Sequence, residues 1–152
     1  MHPIFVGYLE RLQALHHDIR QAMAGLPTEA LDWAPAPGAN SIAVLIAHTA
    51  GAERHWIGER AGRRTVQRDR ASEFAVKAQD AATLAALLDE SLALAAGVLE
   101  ELAVEDLTRP AGRWAQTHEV DAAWALWHAL EHTAQHSGHI QLTRQWWDAQ
   151  QP

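Results

Sequence analysis

The sequence predicts an all-α protein, a four-helix bundle formed by one domain over residues 1–152. Apolar residues recur every three or four positions along four long stretches, the period of a helical face. Segments carrying Gly and Pro separate these stretches and break the period. No segment alternates strongly between apolar and polar residues as a half-buried strand does, and no internal repeat is present.

The first helix is expected from about Pro3 to Ala24. Ile4, Phe5, Tyr8, Leu9, Leu12, Leu15, Ile19 and Met23 form its stripe, and Gly25-Leu26-Pro27 ends it. After the loop Pro35-Ala36-Pro37-Gly38, Asn40 or Ser41 can cap a second helix from about Ile42 to Arg60. The segment from Ala61 to about Gln79 has no clear period, although Phe74 and Val76 can tack it to the body. Asp80 is placed to cap a third helix, about Ala81 to Leu102, with Leu84, Leu87, Leu88, Ala95, Val98, Leu99 and Leu102 as its stripe. A connection from Val104 to His118 leads to the last helix, from near Glu119 to about Trp147.

Composition limits the functions available. The net charge of −7 argues against a nucleic-acid partner, which would usually meet a basic face. No apolar run approaching a membrane span and no charged-then-apolar leader is read in the sequence, so no membrane partner and a cytoplasmic location are expected. The chain has no cysteine, which excludes thiolate ligands and a cysteine nucleophile. Five arginines fall within eleven residues, at positions 60, 63, 64, 68 and 70. They read either as a solvated loop or as an anion-binding edge, since guanidinium forks suit phosphate and carboxylate.

Chemistry concentrates in Glu131-His132-Thr133-Ala134-Gln135-His136-Ser137-Gly138-His139. His132 and His136 lie four apart in one helix, so their rings point the same way one turn apart and can grip one metal ion. Gly138 opens space beside them, while His128 and His139 extend the stripe in either direction. A third ligand is offered by His48, a polar ring among Ile42, Val44, Leu45, Ile46 and Ala47. A three-histidine metal site built from His48, His132 and His136 is therefore expected, between facing helices of the bundle. The other histidines suggest less. His2, His16, His17 and His118 read as surface or capping residues, and His55 as packing against Trp56 or supporting a ligand. Glu53 is a candidate acceptor for an imidazole N–H, and Glu131 reads as facing solvent or a neighbouring arginine.

The chain resembles the DinB/YfiT-like superfamily of four-helix-bundle metalloproteins along nearly its whole length. The resemblance rests on Pro35-Ala36-Pro37-Gly38-Ala39-Asn40-Ser41-Ile42, leading to Ala47-His48-Thr49-Ala50-Gly51. It continues in the closing His132-Thr133-Ala134-Gln135-His136-Ser137-Gly138 and the downstream Arg144. The resemblance implies a divalent metal held by His48, His132 and His136. Many members carry glutamine where this chain has His139, which looks like the branch related to mycothiol-dependent enzymes. The superfamily includes thiol transferases using mycothiol or bacillithiol, a maleylpyruvate isomerase and many members without known activity.

Three neutral imidazoles leave a divalent ion with open positions, as catalytic sites do. Zinc, nickel, iron or copper would all suit imidazole ligands. The favoured function is activation of a low-molecular-weight thiol for attack on a small-molecule electrophile, with His128 or His139 as acid or base. Metal-dependent hydrolysis and a non-catalytic metal- or ligand-binding bundle are the alternatives. The cavity at the metal is expected to be apolar and aromatic, with Tyr8 or Phe5 and Trp56 contributing. Trp124 and Trp127 suit the bundle core. Trp146 and Trp147 diverge by about 100° on a helix, so one should be exposed or covered by a second subunit. A homodimer is expected on that ground and because dimers are frequent in the resembling superfamily.

Overall fold

The computed structural model describes residues 1–77 and 80–151, so the boundary expected near Gln79 lies outside the described residues. Four long helices form the body: α1 (Pro3–Met23), α3 (Ile42–Glu53), α5 (Ala81–Glu101) and α6 (Ala122–Asp148). Two short helices accompany them, α2 (Thr28–Asp32) and α4 (Arg70–Ala75). Past Glu53, α3 continues as wider π-helical turns over Arg54–Ala61, closing with Gly62 N–H donating five residues back to Ile57 O at 2.8 Å. Such widenings are frequent at functional sites.

The helix boundaries follow the capping chemistry. His2 Nδ1 accepts from Ile4 N and Pro3 occupies the first turn of α1. Ser41, rather than Asn40, caps α3 by accepting from Val44 N at 3.3 Å. Asp80 caps α5 through Thr83 N at 2.7 Å, and Asp121 caps α6 through Trp124 N at 2.8 Å. The aspartate at 121 places the start of α6 at Ala122, later than the expected Glu119. Arg144 fastens the far end of α6 to α1 by donating to the carbonyls of Ala22 and Ala24 at 3.1 and 2.9 Å.

The connection before α6 departs from the expectation. It contains a 3₁₀ turn (Val104–Thr108) and an antiparallel hairpin, β1 (Pro110–Trp114) and β2 (His118–Asp121). The register pairs Gly112 with Val120, Arg113 with Glu119 and Trp114 with His118, with a bulge between Pro110 and Gly112. Only Ala111 and Val120 of the hairpin are buried, too few for an alternation to stand out in sequence. The Arg60 guanidinium occupies the space a Cβ at Gly112 would need, and Gly112 adopts φ +105°.

The core has two apolar regions. One contains Phe5, Leu12, Ile57, Leu99 and Leu126, and the other Ile19, Leu31, Ile46, Leu84, Leu88 and Ile140. A buried polar layer from all four long helices lies between them in sequence position: His16, Glu53, Ser91 and Thr133. The Glu53 carboxylate meets His16 Nε2 at 2.8 and 3.0 Å and accepts from Ser91 Oγ at 2.7 Å and Thr133 Oγ1 at 2.8 Å. His16, only 1% exposed, is thus a core residue and not the surface residue its sequence position suggested. α5 is also long and apolar enough by composition to cross a membrane, which corrects the expectation that no such stretch exists. Its buried face, including Leu84, Leu88, Ala95, Val98 and Leu99, packs in the bundle.

Candidate metal centre

α3 packs directly on α6, which brings His48 opposite His132 and His136. His48 is buried and the other two rings are half-buried. His132 Nε2 lies 3.1 Å from His48 Nε2 and 3.2 Å from His136 Nε2. One ligand atom from each of the three falls within 4.8 Å of the others. The sequence expectation of convergence between a lone helical histidine and an i,i+4 pair describes this geometry.

The protons of the outer ring nitrogens are constrained. His48 Nδ1 lies 2.9 Å from Glu73 Oε2, and Arg68 grips the same carboxylate through Nε at 2.6 Å and Nη2 at 2.8 Å. Burial pushes the Glu73 carboxyl up, but hydrogen bonds from Arg68 and His48 outweigh it and hold the group below its usual range. An ionised carboxylate only accepts, so His48 Nδ1 carries the proton and its Nε2 lone pair faces the other two rings. His136 Nδ1 meets His139 Nδ1 at 3.2 Å.

All three candidate ligands are disposed to be neutral. Burial, followed by the neighbouring histidines and Arg68, lowers His132 to about 3. Burial, then His48 and His139, lowers His136 to about 4. Burial also lowers His48, with Glu73 opposing it.

These residues fit a divalent ion. Three neutral rings crowd their Nε2 atoms together, and hydrogen bonds among themselves cannot satisfy every inward lone pair. The separations of 3.1 and 3.2 Å are close to the ~3.3 Å edge expected of a tetrahedron with metal–nitrogen bonds of about 2.0–2.1 Å. Among the described residues, His132 Nδ1 is buried without a hydrogen-bond partner. With an ion at Nε2 that Nδ1 would carry the proton, so His132 lacks the outer acceptor that Glu73 gives His48.

Glu73 and Arg68 were missed in sequence because their segment has no period. Gly51 was the available signal: a Cβ there would collide with the Glu73 side chain, so the glycine lets a carboxylate lie across α3 beside His48. Phe74 packs against His48 with ring centroids 4.6 Å apart and planes tilted by 43°. Glu53, considered as a ligand support, instead serves His16 in the core. His55 packs on Trp56 at 4.9 Å and bonds Glu59. Four of the five arginines are engaged within the chain, which leaves less of the segment for an anion: Arg68 pairs with Glu73, Arg64 with the exposed Glu101, Arg60 meets the Ala111 carbonyl and Arg70 lies over Phe74.

His128 and His139 flank the triad along α6. The His128 ring is parallel to Trp124 at 4.7 Å and edge-on to Trp56 at 4.8 Å, and its centroid lies 6.0 Å from that of His132. Burial lowers its pKa, with Glu131 acting in the opposite direction. Trp56 therefore borders the site as expected, joined by Trp124 and by Trp114 from the hairpin. Phe5 and Tyr8 do not: they are buried around a separate pocket beside Trp127, and Tyr8 donates to Leu126 O at 2.7 Å. Trp127, assigned to the core from sequence, is 59% exposed. Trp146 is exposed, whereas Trp147 packs edge-on against Trp33 at 5.8 Å.

The crystal structure of a conserved protein from Enterococcus faecalis is similar, with a TM-score of 0.76 at 21% identity. The alignment covers 99% of this chain and 100% of that one, a likeness of fold. No curated protein sequence matches the chain. The mycothiol-S-transferase family profile matches residues 8–149, nearly the whole chain, and the protein belongs to this DinB/YfiT-like family.

Proposed function

We propose that this protein transfers a low-molecular-weight thiol to a small electrophile at a divalent ion held by His48, His132 and His136. The observation that carries the reading is the inward convergence of three neutral imidazoles, with the outer proton of His48 fixed by Glu73. Membership of the mycothiol-S-transferase family supports a thiol as the co-substrate. When bound, the ion would provide Lewis acidity that favours the deprotonated thiol.

The chain's own residues provide the rest. Neutral His128, oriented between Trp124 and Trp56, takes the thiol proton. The sulfur then forms a bond to the electrophilic carbon, and the leaving atom departs with the electron pair of the broken bond. His136 Nδ1–H donates to His139 Nδ1, which leaves His139 Nε2–H as a hydrogen-bond donor that can orient the departing atom. Protonated His128 then gives that proton up to the departing atom, so the proton lost by the thiol ends on the leaving group, the imidazole is neutral again and the charges balance.

The test is a purification that avoids metal-affinity resin, followed by elemental analysis and assay of one electrophile with mycothiol, with bacillithiol and with no thiol. Thiol-dependent loss of the electrophile, abolished by chelation and by His132→Ala, is expected. Equal turnover without thiol would replace the reading with hydrolysis. Metal binding without turnover of any electrophile would leave a binding protein.

A further inference from the structure

One turn beyond the triad, toward the C-terminus of α6, lies a half-open cavity of about 200 Å³, of whose lining the mechanism above uses His139 alone. Its walls include Pro35 and Asn40 from the loop before α3, Leu45 from α3, and His139, Leu142 and Trp146 from α6. Leu45 precedes His48 by three residues and His139 follows His136 by three. Both helices that carry the triad thus also carry the cavity, at its adjacent level.

The lining specifies the occupant. No Asp, Glu, Lys or Arg borders the cavity, so a charged guest would lose its hydration without compensation. Leu142 and Trp146 are 40% and 47% exposed, an unusual concentration of apolar surface at the mouth of a site. An apolar cavity of about 150 Å³ holds a benzene ring, so this one accepts a molecule slightly larger. Three polar side chains line it: His139, facing the triad level, the Asn40 amide, which Ser41 has displaced from capping duty, and Thr143, whose hydroxyl already donates to the His139 carbonyl.

We propose that this cavity is the electrophile pocket, selecting small, uncharged, predominantly apolar molecules whose reactive carbon carries a hydrogen-bond-accepting oxygen. The inference rests on the thiol-transfer reading above for its chemistry but on the cavity alone for binding. With an epoxide, the thiol's sulfur forms the C–S bond as the ring C–O bond opens. The released oxygen receives one proton, equal to the proton lost by the thiol, and no oxidant or reductant is needed.

Two measurements separate the pocket from the reaction. Unreactive cyclohexanol, titrated into the metal-loaded protein, should shift the NMR resonances of Leu142, Trp146 and Asn40 saturably, and Leu142→Arg should abolish those shifts. In turnover with cyclohexene oxide and mycothiol, Leu142→Arg should raise the KM for the epoxide roughly tenfold or more, while metal content and melting temperature hold. Stilbene oxide, too large for the cavity, should react far more slowly than cyclohexene oxide. Thiol transfer with an unchanged epoxide KM in Leu142→Arg, or no size discrimination, would overturn the pocket and leave the function standing. Saturable cyclohexanol binding without thiol-dependent turnover would sustain the pocket and overturn the function. Cyclohexanol shifts scattered over the surface would overturn the pocket.

Discussion

His48 and Glu73 are joined at 2.9 Å, Nδ1 to Oε2, across a helix surface that Gly51 leaves bare. The contact links a segment without sequence periodicity to the centre of the site. It sets which nitrogen of His48 bears the proton and therefore which one is free to bind a metal. Arg68 holds the carboxylate from the opposite side. Replacing Glu73 with Gln keeps the shape but removes the charge and weakens the Arg68 fork. Metal affinity should fall about 10–100-fold, measured by competition against a chromophoric chelator.

Gly51→Ala should mimic that loss without touching either partner. The added methyl group occupies the space of the Glu73 side chain, so the carboxylate must swing away from His48. Reduced metal affinity with little change in helix content is expected, read by chelator competition and circular dichroism. Unaltered affinity would show that Glu73 relaxes without releasing His48.

His128→Phe preserves the aromatic packing on Trp124 and Trp56 but removes both ring nitrogens. If His128 is the base, kcat should fall by about 10²–10⁴ while bound metal per chain is unchanged. Loss of metal together with activity would instead assign this ring to the coordination sphere.

What the sequence revealed follows from physical periodicity. The triad was legible because His132 and His136 share a helical face and His48 interrupts an apolar one, both local patterns. The long helices were legible through their stripes and the caps at Ser41 and Asp80. Glu73 was not, since its partner His48 lies twenty-five residues away and reaches it only after α4 folds back on α3. His16 was hidden for a related reason: beside His17 it looks solvent-facing, and only the Glu53 carboxylate from another helix makes its burial tolerable. The hairpin was illegible because its few buried residues carry almost no alternation.

Acid should act on the metal-free fold through His132 and His136. Both are held far below the ordinary imidazole value of 6.5, at about 3 and about 4. Between those values and 6.5 the unfolded chain binds protons that the folded chain refuses, so stability rises with pH through this window. It is fully present above about pH 6.5 and is lost as pH falls toward the folded values. Melting temperatures of chelator-treated protein between pH 4 and pH 8 should show this slope, and His132→Phe with His136→Phe should flatten it. Saturating metal should raise the melting temperature most at the alkaline end, where protons no longer compete for the ligands.

The buried layer around Glu53 should be the most sensitive point of the bundle outside the apolar core. One carboxylate there satisfies His16, Ser91 and Thr133 from three other helices. Glu53→Ala removes it and deprives His16 and Thr133 of that acceptor between two apolar regions, while Ser91 keeps the Leu88 carbonyl. Breaking a buried pair in this way costs about 3–5 kcal/mol, a large share of the stability of a domain this size. Urea denaturation should show a midpoint lowered accordingly. Replacing the set with Glu53→Leu, His16→Leu, Ser91→Ala and Thr133→Val should recover most of that loss, because the partners are then removed together. Thr133 adjoins His132, so the variants also test whether the layer sets the rotation of α6. If it does, Glu53→Ala will weaken metal binding even under conditions where the bundle remains folded, and the apolar quadruple variant will not restore it.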